Sequence, residues 1–201
     1  MKKTTILSAA FGLISSVAGA FEPIQLPEPK IDTQASLYQA LKTRKSVRRF
    51  ENKKIEPQMM SNVLWVAYGA NRADGRRTIP TARNEKDLSV YVAQKDGVFL
   101  YDGEANTLTK VLDQNILDLF ATQPFMENVP AVLIYTGSTD EKHYSIMHAG
   151  SAYQNVELYA ATNNLGSVVR ALFDKNVVAK TLKLPENEQV IVSQAIGYEE
   201  D

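Results

Sequence analysis

Leu88-Ser89-Val90-Tyr91-Val92-Ala93-Gln94-Lys95-Asp96-Gly97-Val98-Phe99-Leu100-Tyr101 is the stretch on which the fold turns. β-Branched and aromatic residues fill two runs, Leu88–Ala93 and Val98–Tyr101. Between them, Lys95-Asp96-Gly97 has the composition of a tight turn. The stretch reads as a hairpin, with no helix between its strands. Towards the C-terminus, Asn115–Phe120 is expected to form a short helix, and Pro130–Tyr135, a continuous apolar run, a buried strand. Glu141–Asn164 is the longest helical candidate. Ile146, Ala149, Tyr153, Val156 and Ala160 recur along one stripe of it, and Gly166 follows its end. A shorter helix is expected over Asn176–Leu182 and a last β-rich run over Gln189–Ile196.

On the N-terminal side, Asn71–Asn84 is polar and loop-like, broken by Gly75 and Pro80. Pro57 can start a helix that carries Met60, Val63, Leu64 and Ala67 at helical spacing and ends at Gly69. Ser36–Lys42 reads as a short helix with Ser36 as its N-cap. Residues 21–35 hold Pro23, Pro27 and Pro29, a spacing that favours an extended arm. Helices and strands are mixed without strict alternation, which places the chain in the α+β class. The main domain is expected over residues 36–201.

Residues 1–20 carry an address. Met1-Lys2-Lys3 is basic, Thr4 to Phe21 is uncharged and largely apolar, and Ala18-Gly19-Ala20 supplies small residues for cleavage. The segment is short for a membrane span and diluted by Ser, Thr and Gly. The expectation is a signal peptide cut after Ala20, and an exported mature chain, periplasmic or secreted, of 181 residues.

At 201 residues the chain has room for one sizeable core. With no cysteine it has no disulfide, thiolate metal site, cysteine-ligated cluster or cysteine nucleophile. The formal net charge of −1 conceals a division. From Lys42 to Arg83 there are 11 basic and 3 acidic residues, a net of +8, whereas residues 84–201 sum to −9. A concentrated, arginine-rich segment is suited to an anion, because the guanidinium fork grips phosphate with two hydrogen bonds. Three readings compete for it: a solvated face, a nucleic-acid patch and a small phosphorylated ligand. The acidic remainder and the export signal speak against nucleic acid. Arg44-Lys45-Ser46-Val47-Arg48 gathers two guanidiniums, an ammonium and a hydroxyl within five residues, as a phosphate would require.

Thr43-Arg44-Lys45-Ser46-Val47-Arg48-Arg49-Phe50 resembles the arginine–serine–arginine signature of FMN-dependent nitroreductases. Trp65–Arg72, Asp74–Thr78 and Pro80-Thr81-Ala82 are similar to the branch related to peptide-heterocycle oxidases. Ala149–Asn155 resembles the family's long central helix, Leu165–Val168 with Phe173-Asp174 the segment that passes the flavin, and Ala195–Tyr198 the last core strand. The likeness spans about residues 36–198 in the right order.

That resemblance implies a mixed, mainly antiparallel central sheet flanked by helices, and an intertwined homodimer with FMN at the subunit interface. Arg44, Lys45 and Ser46 would hold the FMN phosphate and ribityl chain, and Arg48 would place positive charge near the flavin N1–O2 edge. Pro80, Thr81, Ala82 and Asn84 match a loop that packs on the flavin, commonly from the other subunit. Arg170, Ala171 and Leu172 match the stretch whose backbone approaches N5 and O4. The expected chemistry is hydride transfer from flavin N5 to a small electron-poor acceptor, a nitroaromatic or a quinone, so no protein acid or base is assigned a catalytic role. The alternative is an exported flavin-binding or flavin-free module that kept the fold and lost turnover.

Three departures accompany the likeness. Ala171-Leu172 stand where many relatives have Gly or an acidic residue. Arg83–Asp87 replaces the usual continuation of the proline loop. Glu199-Glu200-Asp201 stand where many relatives place basic residues, which shifts phosphate binding onto Arg44 and Lys45, with Arg76 or Arg77 as reserves. Trp65, Phe120, Phe125 and Met126 are candidates for an apolar shelf, with core packing as the competing reading. His143 and His148, five apart, do not have the i, i+4 spacing of a helical metal pair. A packing or hydrogen-bonding role is expected for His148 and a surface role for His143.

Overall fold

The computed structural model describes residues 21–30 and 32–200, so the expected signal peptide lies outside the described residues. In chain order the elements are β1 (Ile24–Gln25), α1 (Leu37–Thr43), α2 (Pro57–Tyr68), β2 (Leu88–Gln94), β3 (Gly97–Asp102), β4 (Thr107–Leu112), β5 (Ala131–Ser138), α3 (Lys142–Ala160), β6 (Leu165–Arg170), α4 (Lys175–Thr181) and β7 (Glu188–Tyr198). Short 3₁₀ turns cover Ala82–Asn84, Leu117–Phe120 and Pro124–Asn128.

The hairpin forms as expected but tighter. Gln94 pairs with Gly97, so only Lys95 and Asp96 lie in the turn. Gly97 sits at φ 132°, and a Cβ there would stand 2.5 Å from the Leu112 carbonyl oxygen. The seven strands make one sheet in the order β1-β4-β3-β2-β5-β7-β6. Every pairing is antiparallel, in keeping with the mainly antiparallel sheet expected. The reason is the position of β7. Strands β5 and β6 point the same way, but β7 is inserted between them and runs against both.

Strand β5 is central and buried on both faces, which explains its uninterrupted apolar run. Its alternate residues serve two cores. Leu133 and Tyr135 face α2 and α3, with Val63, Leu64, Val90, Val156 and Ile196. Val132 and Ile134 face the opposite side, where Phe50, Phe120, Met126 and Val178 pack.

Pro57 opens α2 and Gly69 closes it, as its sequence demands. Ser36 caps α1 by accepting the Gln39 amide at 3.3 Å. On α3 the buried stripe is not quite the one expected. Ile146 is exposed, and Ser145 and His148 take the inner positions beside Ala149, Ala152, Val156 and Ala160. Two polar residues can face inward because Asp87, from a distant loop, receives both. The proline arm is extended and clamped to α2. Asn62 accepts the Lys30 amide and donates to the Lys30 carbonyl, both at 2.8 Å, and β1 adds the arm to the edge strand β4.

Candidate active site

The basic segment leaves α1 and lies across the start of β6 and the end of β7. The Val47 amide donates to Ser167 O at 2.9 Å, the Glu51 amide to Tyr198 O at 3.0 Å, and the Glu200 amide to Arg49 O at 3.2 Å. Val47 and Phe50 are buried in the core. A Cβ on Gly166 would meet Val47 at 2.6 Å, so a bare strand is what lets the segment lie down there. With Val47 and Phe50 turned inward, Lys45, Ser46, Arg48 and Arg49 are left exposed.

Two open clefts, each of about 510 Å³, share Lys45, Val47 and Glu199. One runs under the C-terminal end of α3, past Thr43, Glu157 and Ser167. The other covers Ser46, Arg48, Arg49 and Glu200. The donors fit a phosphate monoester: a hydroxyl, an ammonium and a guanidinium follow one another beside a polar cleft. Arg48 has no carboxylate partner among the described residues. Arg44 donates from Nη1 to Glu157 Oε2 at 2.7 Å, and Lys45 Nζ lies 2.7 Å from Glu199 Oε1. Ser167 is held from below, where Gln194 donates to its Oγ at 2.7 Å and accepts from the Tyr135 hydroxyl at 2.6 Å. Burial, with the Glu157 carboxylate adding to it, pushes the Tyr135 phenol well above its ordinary value.

Pro80, Thr81, Ala82 and Asn84 gather elsewhere. The Ala82 amide donates to His148 Nε2 at 2.8 Å, and His148 Nδ1 lies 2.6 Å from Asp87 Oδ1. Because Nε2 accepts, the ring proton sits on Nδ1 and is donated to Asp87. Ser145 donates to the other Asp87 oxygen at 2.7 Å. Serine, aspartate and histidine therefore meet, but the serine points at the aspartate and a backbone amide occupies the histidine. The cluster clamps a loop and activates no nucleophile. His148 stands nine positions before Glu157 on α3, about 13 Å along the helix. Within one chain, the proline loop and the basic segment thus lie at opposite ends of α3.

Arg170, three residues after Ser167, is about 10 Å further along β6. Its guanidinium is buried and turned inward. It donates to Phe120 O and Thr122 Oγ1, both at 2.6 Å, and packs 5.4 Å from the Phe125 ring. Beyond it the chain surfaces: Ala171 and Leu172 are exposed, while their carbonyls accept from the Phe173 amide and the Thr122 hydroxyl. Phe120 and Met126 are core residues and offer no shelf. Phe125 is half-buried against Phe50, and Trp65 lines an apolar groove of about 310 Å³ among α1, α2 and α3. Arg77 is buried 5.0 Å from the Tyr68 ring, beside Gly103, which takes it away from the clefts, and Arg76 pairs with Asp74 at the surface. His148 bonds as expected, and His143 is exposed.

Sequence reading missed Glu157, Ser167 and Asp87. A signal for Glu157 was present: it follows Val156 on the face of α3 that carries Ala149 and Ala160, where an unpaired carboxylate would not be tolerated.

The nitroreductase family model matches residues 41–198, and the chain belongs to that family of oxidoreductases. A Methanocaldococcus jannaschii protein named as a nitroreductase is 30% identical over 182 residues, covering 81% of this chain and 90% of the relative. A crystal structure from Ralstonia eutropha, also named as a nitroreductase, superposes with TM-score 0.84 at 29% identity, over 99% of this chain and 97% of that one. A chain of the Escherichia coli microcin synthetase complex shares the fold, with TM-score 0.68 and 17% identity over 99% of this chain and 79% of its own.

Proposed function

We propose that the chain binds FMN along Arg44–Arg48 and works as a homodimer that reduces a small electron-poor acceptor, a quinone or a nitroaromatic. The observation that carries this reading is the outward display of Lys45, Ser46 and Arg48 over a polar cleft at the sheet edge. When bound, FMN supplies hydride transfer at its N5. Lys45 and Ser46 would grip the phosphate, with the remaining Arg44 donors beside them. Arg48, which has no carboxylate partner among the described residues, would supply positive charge beside the flavin. The exposed Ala171-Leu172 stretch would face the ring edge.

Three features support a second copy. The proline loop lies too far from its own basic segment to close the same site, so Pro80, Thr81, Ala82 and Asn84 would come from a partner. Leu37, Tyr38 and Leu41 on α1, and Ile146 and Met147 on α3, are exposed apolar side chains. Gly150 sits inside α3, where a Cβ would meet only the end of the Tyr153 side chain, its hydroxyl 3.8 Å away. A helical glycine with so much room is explained by close approach of another backbone.

Residues 1–20 support export, so the electron donor would be something other than NAD(P)H, or turnover would run as an oxidase. Stopped-flow mixing with NADPH should give only slow reduction, and fast reduction would refute that part. The site itself is tested with Ser46→Ala/Arg48→Ala. This variant should purify with little flavin and lose quinone reductase activity. Flavin retained at the wild-type level would place the site elsewhere. Arg44 is the poorer position to test, because its loss also strands Glu157.

A further inference from the structure

The basic segment is not open to an anion in the way its composition suggests. Four cations, Arg44, Lys45, Arg48 and Arg49, follow one another, and three carboxylates meet them. Glu157 lies 2.7 Å from Arg44, Glu199 2.7 Å from Lys45, and Glu200 3.9 Å from Arg49. The seven groups together carry a net +1, whereas a phosphate monoester brings about −1.5 to −2 at neutral pH. A dianion entering beside Lys45 meets a carboxylate already on the ammonium it needs.

Glu199 cannot swing away as a loose tail would. Its backbone bridges to Phe50, and the flanking residues are bonded as well: Glu51 N donates to Tyr198 O at 3.0 Å, and Glu200 N to Arg49 O at 3.2 Å. Only the side chain can turn, and Glu199 lines both clefts. Glu157 differs, being buried under Arg44 and fixed as part of the core face of α3.

Resting on the FMN reading above, we propose that Glu199 is a resident counter-anion of the phosphate site, competing with phosphate for Lys45 and thereby setting how much the phosphate contributes to flavin binding. The site consequently discriminates less between FMN and unphosphorylated riboflavin than its cations alone would dictate. Removing the carboxylate restores that discrimination.

The test compares FMN and riboflavin titrations, followed by flavin fluorescence, on the full mature chain and on Glu199→Gln and Glu199→Lys. The side chain is at the rim and its backbone bonds remain, so both variants should fold. Glu199→Gln should lower the FMN Kd about tenfold, Glu199→Lys further, and riboflavin should move less than about twofold. An unchanged FMN Kd, or equal shifts for both flavins, overturns the proposal and leaves the flavin site standing. Inorganic phosphate supplies an independent arm through the thermal midpoint. If neither flavin binds any variant but phosphate raises the midpoint more in Glu199→Gln than in wild type, the counter-anion stands and the flavin reading falls. Equal or absent phosphate effects together with no flavin binding overturn both.

Discussion

His148 satisfies two partners that are far apart in sequence, the Ala82 amide and the Asp87 carboxylate. Truncation would leave the Ala82 amide without an acceptor and Asp87 with Ser145 alone, which costs about 2 kcal/mol. His148→Ala should lower the urea midpoint accordingly and speed hydrogen exchange at the Ala82 amide, while Arg48→Ala should do neither. Arg44 offers a second case. Its side chain is 36% exposed, but Glu157 beneath it is 6% exposed, so solvent screens only one end of the pair. Losing Arg44 should cost about 1–2 kcal/mol by equilibrium unfolding, independently of any ligand. These residue-level roles were only partly legible. The cations of Thr43–Phe50 could be read as an anion site because their density is local. Their pairing with Glu157 and Glu199 could not, because those carboxylates arrive from α3 and from the end of β7.

At the scale of elements, local signals did well and non-local ones poorly. Pro57, Gly69 and Ser36 mark helix ends whose chemistry is confined to one turn, and each stands where expected. Strand β4, Thr107–Leu112, was not expected, because alternating Thr, Leu and Lys gives a weak apolar signal and the strand exists through its pairing with β3. Ile146 misled for the converse reason. It is apolar and in helical phase, yet Asp87 draws Ser145 and His148 inward instead. The outward side of α3 carries a prediction. If a partner packs there, Met147→Asp should shift the protein to monomer in light scattering, and a dimer unaffected by that change would move the interface elsewhere. Strands β2, β3 and β5 bury Tyr91, Tyr101 and Tyr135. Burial raises all three phenols, with Glu188 adding at Tyr91 and Arg77 partly opposing it at Tyr101. Stability should therefore be intact below about pH 10 and decline above it, as the unfolded chain ionises tyrosines that the folded chain keeps protonated. Absorbance at the phenolate band should show these tyrosines titrating only with unfolding.

Across the whole molecule, one antiparallel sheet separates two cores, and the basic segment crosses from the α3 side to the other face at the β6 edge. That crossing gives the charge division a structural meaning. Apolar Val47 and Phe50 anchor the segment, and the polar residues between and before them are left facing solvent. The exposed apolar side chains of α1 and α3 have no cover among the described residues of a single chain, so the functional unit is expected to be two chains with two equivalent sites. The most direct measurement is flavin stoichiometry. Mature protein is purified, its cofactor extracted, and the apoprotein titrated with FMN. The expected result is a yellow dimer that takes up one FMN per chain. A colourless protein that binds no FMN would contradict it, leaving a nitroreductase fold without its flavin.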